Sequence, residues 1–465
     1  MTRKHILRYG TNAEQKFIDE MDEKNISKFD MIAINGNMLA YSPAAISKFL
    51  MLKCVNGKYE FFIDPITHAF QHSIDKIQSY SKKTKTYVIK QSIQKLIDTY
   101  GEPLSSKLSK GEVILPSDFN TQSIINSFCK NVLDFQIETI KKELDAKGFL
   151  EYIKYVPSSI EKLIPTFIIP PYFYLEESTY KPWLDLNTEF LISSQNIYQD
   201  KTYYAQLVIS KNILCNKQII NEIVTRYTST NIKNILLWID DFDELTASEY
   251  VLECYIDLIK SFYKNNIKVF NLYGGYFSEI LTSFESELKF SLSGVGHGLE
   301  YGEHRAVVPV GGGIPTSKYY FYPLHERLDY RLASQILLRV GCFPQDNNPT
   351  QYYSEICSCG TCKEIIDTDM RNFQKYENSE FYTVVLRGAE QKRPYASQDT
   401  KRICILHYQN CKFKEFTELE AMSLNDLLSN LDNTFSYYYK LGILGSDQIS
   451  YLKCWYNVLS RCSKW

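Results

Sequence analysis

The chain has no apolar stretch long enough to cross a bilayer and no secretory apolar segment after Met1. It also lacks a strong charge of either sign: 52 basic residues against 54 acidic ones leave a net charge of −2. That balance excludes a uniformly basic nucleic-acid coat but leaves room for a local basic groove. Low-complexity tracts are missing, and no internal repeat exceeds a strand–helix alternation. The 12 cysteines are scattered outside one cluster and form no disulfide framework. These absences predict a cytoplasmic protein with reduced thiols and no membrane association. At 465 residues, the chain is long enough for one large domain with appendages, or for two domains.

The exceptional cluster is Cys357-Ser-Cys359-Gly-Thr-Cys362, with His407 downstream. Three sulfurs and one imidazole are the ligands of a closed tetrahedral zinc site, which leaves no position for a reacting water. The expected zinc is therefore structural, held by Cys357, Cys359, Cys362 and His407. Cys404 and Cys411 flank His407 and compete for the fourth position. Cys404 sits in the apolar run Ile403-Cys404-Ile405-Leu406 and reads as core.

Short apolar runs rich in β-branched and aromatic residues alternate with helical patterns. Strands are predicted at Phe29–Asn35, Tyr59–Asp64, Thr166–Pro170, Tyr204–Ser210, Ile235–Asp240, Lys268–Tyr273, Lys289–Val295 and Tyr319–Leu324. Eight evenly spaced units predict an α/β fold, a closed (β/α)8 TIM barrel, with a doubly wound open sheet as the alternative. The barrel would span residues 1–341, with a helical insertion at about 74–160 carrying Lys82, Lys83, Lys85 and Lys90. Residues 342–465 would form a zinc-binding and helical C-terminal module.

Polar residues gather at the predicted strand ends, the face where barrel chemistry is placed. Phe61-Phe62-Ile63-Asp64-Pro65 delivers a carboxylate suited to acid–base work, followed by Thr67, His68, Phe70 and Gln71, which suit a flat heterocycle. Trp238-Ile239-Asp240-Asp241-Phe242-Asp243-Glu244 offers four acids, of which Asp240 is the best placed for a site; a helix cap and solvated charges are the plain alternative. Gly274-Gly275 would let backbone amides approach a ligand. The run Ser293–Arg305 crowds glycines with His297, Glu300, Glu303 and His304. It lacks the strand–turn–helix context of a dinucleotide fingerprint, and Gly311-Gly312-Gly313 lacks the Lys-Ser/Thr of a phosphate loop. Arg387, Lys392, Arg393, Lys401, Arg402, Lys412 and Lys414, beside Tyr395 and Tyr408, form either a phosphate-tracking patch or a solvated loop.

CxCxxC with a later Leu406-His407, following a strand–helix barrel pattern, resembles the tRNA-guanine transglycosylase superfamily. The resemblance runs from Phe29 onward and is sharpest at the cysteines. Asp64 with Phe70-Gln71 resembles the family's Asp-Ser-Gly-Gly-Phe-Gln segment, Gly274-Gly275 its base-contacting glycine pair, and Ser293-Gly-Val-Gly296 its Met-Gly-Val-Gly strand end. Gly298-Leu-Glu-Tyr-Gly-Glu303 also resembles its Gly-Leu-Ala-Val-Gly-Glu loop. The resemblance implies replacement of guanine in nucleic acid by a 7-deazaguanine such as preQ0. Asp64 would be the acid–base group, and His68, Phe70, Gln71, Gly274, Gly275, His297 and Glu300 would line the base pocket. The family's nucleophilic Asp has no counterpart in Lys318–Arg327, and the Cys362–His407 interval is longer than in tRNA enzymes. Asp240 is the expected substitute nucleophile. The departures point to a divergent branch of DNA-modifying and anti-phage-defence transglycosylases, with DNA favoured over tRNA as acceptor. The alternative is an altered subunit that binds a deazaguanine or a defence partner protein; homodimerisation is left open. A metal-dependent hydrolase using Asp64, Asp240, His297 and Glu300 is a third reading.

Overall fold

The structure, a computed structural model, describes residues 3–10, 14–26, 29–54, 58–81, 84–146, 163–299, 302–308, 317–342, 348–386 and 389–463. Lys82, Lys83, Glu300, the triple glycine 311–313 and Arg387 lie outside the described residues.

Seven parallel strands form one curled half-barrel sheet in the order β3-β2-β1-β9-β8-β7-β6. They are β1 (Lys4–Tyr9), β2 (Met31–Asn35), β3 (Glu60–Asp64), β6 (Ala205–Ile209), β7 (Asn234–Ile239), β8 (Lys268–Asn271) and β9 (Gly294–Gly298). Side chains alternate between the two faces. Inward Ile6, Phe62, Val208, Leu236 and Phe270 form one apolar cluster with Phe167 and Ile169. Outward Leu7, Ile32, Ile63, Leu207 and Leu237 belong to the larger core shared with the helices. One covering helix, Glu249–Lys264, is capped by Ser248 and buries Leu252, Tyr255, Ile256, Ile259 and Phe262, a stripe at three- and four-residue spacing.

Between the edge strands β3 and β6 runs an extended segment. Thr166 N donates to Phe61 O, and Leu175 N to Val208 O, each at 2.9 Å. Single parallel bridges join Ile168 to Tyr203 and Leu175 to Ile209. The strand expected at Thr166–Pro170 is therefore only a bridged extended segment. Pro170 and Pro171 lack the N–H groups a ladder needs. The side-chain amide of Gln136 bonds both the N–H and the carbonyl of Ile169, at 2.9 and 2.8 Å.

Three other strand expectations change. Lys4–Tyr9, not anticipated, is the interior strand β1, between β2 and β9. Lys289–Val295 shifts to Gly294–Gly298, because Lys289 ends a short helix at φ 63°. Tyr319–Leu324 does not join the sheet: Tyr319–Phe321 (β10) pairs antiparallel with Glu326–Leu328 (β11). The insertion is mostly helical where described, with helices Gln91–Tyr100, Leu104–Leu108 and Gln122–Ala146 after a hairpin of β4 (Gln78–Ser81) and β5 (Thr86–Ile89). A second ribbon, β12 (Ser379–Leu386) and β13 (Ala389–Ala396), precedes the Gln398–Ala421 helix.

The glycine positions of β9 are sterically required. A Cβ on Gly296 would lie 2.5 Å from the carbonyl oxygen of Leu272. Gly296→Ala is expected to cost about 1–3 kcal/mol through overpacking, read as a lower urea midpoint. An unchanged midpoint would mean that β8 and β9 separate freely at this level.

Candidate functional site

Two sites emerge: a Cys/His cluster in the C-terminal part, and the mouth at the carboxyl ends of the parallel strands.

The cluster is buried and could hold a metal ion: ligand atoms of Cys357, Cys359, His407 and Cys411 all lie within 4.8 Å of one another. Cys359 caps the Gly360–Ile366 helix, while His407 and Cys411 stand one turn apart on the Gln398–Ala421 helix. A tetrahedral ion with ordinary metal–sulfur and metal–nitrogen bonds requires S···S of about 3.8 Å and S···N of about 3.6 Å. Cys357 Sγ to Cys411 Sγ is 3.7 Å, and His407 Nδ1 lies 3.4 Å from Cys359 Sγ and 3.6 Å from Cys411 Sγ. His407 Nε2 faces the Tyr320 carbonyl at 2.7 Å. That bond fixes the tautomer that presents the Nδ1 lone pair to the sulfurs. Hydrogen bonds from Cys359 and Cys362 hold the Cys357 thiol low, whereas burial pushes those of Cys362 and Cys411 up. A dication would offset the cost of ionising the rest.

Cys362 is close as well, 3.2 Å from His407 Nδ1, with Tyr352 OH at 3.0 Å and Tyr376 OH at 3.4 Å from its sulfur. Cys411, the second choice from sequence, thus stands among the converging donors. Cys404 does not; its sulfur faces Tyr376 O.

At the mouth, parity places Asp64 and Asp240 inward, each directly after a strand's last outward residue. Asp64 Oδ1 accepts from Tyr172 OH at 2.5 Å and from Ile66 N at 2.9 Å. Burial nevertheless raises its pKa. Asp240 Oδ1 accepts from Val307 N at 2.7 Å and its Oδ2 from Tyr174 OH at 3.1 Å. His68 Nδ1 sits 3.0 Å from Tyr172 OH, and its ring meets Trp238 edge-on. Burial drives His68 down to about 3, so the neutral ring donates to Tyr172, which donates to Asp64.

Two arginines also reach the mouth. Arg8, inward on β1, lies 4.0 Å over the Tyr273 ring, and its buried Nε has no hydrogen-bond partner. Arg305 lies 5.9 Å over Trp238 and donates to Tyr273 OH at 3.5 Å. Burial lowers the pKa of Arg8, and the Arg305 charge adds to it. Two guanidinium groups close enough to repel suit an anionic ligand. Arg8, Tyr172, Tyr174 and Tyr273 were not among the expected site residues.

Several expected pocket residues are placed elsewhere. Phe70 is fully buried in the helix-side core, edge-on to Tyr100. Gln71 spends its amide on the backbone of Tyr174, donating to its carbonyl and accepting from its N–H, both at 2.8 Å. A Cβ on Gly274 would meet Ser278 Cβ at 2.7 Å, and one on Gly275 would meet Glu244 Oε2 at 3.0 Å. The pair therefore seats the Tyr276–Leu281 helix on Glu244, whose carboxylate accepts from Ser278 N at 3.2 Å. His297 points outward from β9, away from the mouth, with its Nε2 3.1 Å from Glu279 Oε1. The four acids after β7 also diverge: Asp240 turns inward, Asp241 binds His304 Nδ1 at 2.8 Å, and Glu244 is buried. Of the basic residues near the cysteines, Lys392 and Arg393 are exposed, Arg402 pairs with Glu20 and Asp399, and Lys412 is buried with Tyr408.

Scans against protein-family models, curated proteins and solved structures return no match for the chain. Among the described residues, no helix is long and apolar enough to cross a membrane.

Proposed function

We propose that the mouth is a nucleotide-handling site of the transglycosylase type, exchanging guanine in nucleic acid, DNA in preference to tRNA, for a 7-deazaguanine such as preQ0. The observation that carries this reading is the combination of groups at the mouth. Inward Asp64 and Asp240 stand among Tyr172, Tyr174 and Trp238, with Arg305 over Trp238 and Arg8 over Tyr273. Arginines suit phosphate, aromatic rings suit a flipped base, and carboxylates suit the sugar and the base N–H groups.

In this proposal Asp240 attacks C1′ of the flipped nucleotide. The bond from C1′ to guanine N9 breaks, its electron pair leaves with guanine, and Asp64 supplies the proton the base needs. Asp64 then takes the N9 proton of the incoming deazaguanine, whose nitrogen attacks C1′ and expels the Asp240 carboxylate. The segment Thr166–Leu175 would complete the half-barrel as an eighth stave, making the scaffold a (β/α)8 barrel. The cluster metal would be zinc, drawn from Cys357, Cys359, Cys362, His407 and Cys411, and would hold the C-terminal module in place.

The test is incorporation of labelled guanine or preQ0 into DNA and into tRNA. Asp64→Ala and Asp240→Ala are each expected to lower the rate by at least about 10³-fold. No incorporation by metal-loaded wild type, or full activity in both variants, would sink the reading. One observation favours the second reading, a binding subunit for a deazaguanine or a defence partner: each carboxylate is already engaged by a tyrosine hydroxyl. Tight preQ0 binding without exchange would support it.

A further inference from the structure

Beside the mouth, a cavity of about 390 Å³ opens where the ends of β7, β8 and β9 meet β10–β11 and the helices Gln398–Ala421 and Ser446–Cys462. That volume suits a small ligand. Tyr273 and Tyr276 line it, and the Tyr276 ring lies flat on His325 with centroids 3.4 Å apart.

The cations around the cavity are largely shared with acids outside it. Its lining holds the acids Asp243, Glu244, Glu303 and Glu326. Most lining cations are already committed. Lys412 Nζ lies 3.0 Å from Glu279 and 2.9 Å from Glu415, neither of which lines the cavity. Arg327 lies 3.7 Å from Glu303 and stacks on the Tyr408 ring. His304 is bonded to Asp241, and His325 to Glu415. Asp243 has only that same His304, at 4.0 Å, Glu244 faces the shared Lys412, and Glu326 faces Lys318. Burial pushes Glu244 and Glu326 each up to about 7, the behaviour of carboxyl groups short of positive charge.

We propose that this cavity binds a small planar organic cation, of the amidine, guanidine or protonated amino-heterocycle class, with its plane against Tyr276 and its N–H groups toward Glu326 and Asp243. Such a ligand supplies positive charge and gains from the aromatic wall. The site is separate from the mouth carboxylates and does not depend on base exchange.

The test uses benzamidine, with neutral benzamide as its isostere, titrated calorimetrically into the full chain carrying its metal. Benzamidine is expected to bind at least 10-fold tighter than benzamide. Glu326→Gln keeps the Tyr451 contact, so its melting temperature should hold while benzamidine affinity falls at least 10-fold. The groups facing Glu326 are Tyr451, Lys318 and Asp243; those facing Glu244 are Ser278, the Gly275 backbone and Lys412. A cation prefers the ionised carboxylates, so affinity should rise from pH 6 to pH 8. Asp64→Ala should bind benzamidine like wild type. Equal affinity for the two probes, no effect of Glu326→Gln, or loss of binding in Asp64→Ala would each overturn the proposal.

Discussion

Cys359→Ser is expected to release the cluster's metal and lower the melting temperature by more than roughly 10 °C, with a strong chelator reproducing the effect in wild type. Elemental analysis of the purified chain should give one metal ion per chain, and about none in the variant. Two parts of the sequence meet at this cluster, the Gly360–Ile366 helix through Cys359 and the Gln398–Ala421 helix through His407 and Cys411. Without the ion, buried sulfurs and an imidazole hold one another's protons in place of a metal, and the two helices lose their link. Because His407 also bonds the Tyr320 carbonyl, the loss reaches β10. Retention of one ion per chain with an unchanged melting temperature in Cys359→Ser would remove Cys359 from the ligand set; Cys362→Ser would then be the deciding variant.

Lys412→Met is expected to cost about 3–5 kcal/mol, the usual penalty for removing one partner of a buried ion pair, or roughly 3–5 °C in melting temperature. Lys412 is 1 % exposed, and Glu279 and Glu415 are equally buried on either side of it. Glu415 also accepts from Tyr320 OH at 2.7 Å and lies 2.5 Å from His325 Nδ1. Burial pushes Glu279 up to about 8, whereas Lys412 and His325 overcome burial at Glu415 and hold it at about 2. One carboxyl of the pair therefore keeps a proton at neutral pH.

The pH dependence follows from these directions. The raised pKa of Glu279 contributes stability that is complete below about 4.5 and is lost as pH rises toward 8. The depressed pKa of Glu415 contributes stability that is present above about 4.5 and is lost as pH falls toward 2. Without the ammonium, both carboxyls favour their protonated forms, so the deficit of Lys412→Met should be largest near pH 8 and shrink toward pH 5.5. Denaturant melts at the two pH values check this. A deficit independent of pH would show that Lys412 acts through packing of its stem alone.

The strand ends that carry Asp64 and Asp240 were legible because each follows an uninterrupted apolar run, where parity reads directly onto a face. The same rule failed at His297. In Gly294-Val-Gly-His-Gly298 only two residues have side chains, so the run does not declare which face they share. Both Val295 and His297 are outward, and the inward glycines are set by the close approach of β8. β1 was missed because Lys4-His5-Ile6-Leu7-Arg8-Tyr9 places charges where an apolar run is expected. His5 is accommodated against Phe416, with which it stacks, and Arg8 over Tyr273. Tyr319–Leu324 carries the composition of a buried strand and is buried, but under the C-terminal helices rather than in the sheet. Lys412 and Glu415 have the spacing of a solvated helix pair, and nothing local in the sequence reveals that Glu279, from a distant helix, closes on them.

β1, at the beginning of the chain, is wedged between β2 and β9, so the middle of the sheet is finished only when residues near 294–298 exist. On a ribosome adding about 5–20 residues per second, the roughly 230 residues between β3 and β9 take on the order of 10–50 s. Throughout that interval β1 has one strand edge bare, and its outward His5 awaits a helix about 400 residues away. Synthesis of this chain thus carries a long window of exposed edge and apolar surface, in which chaperone supply and translation speed govern the yield of native protein.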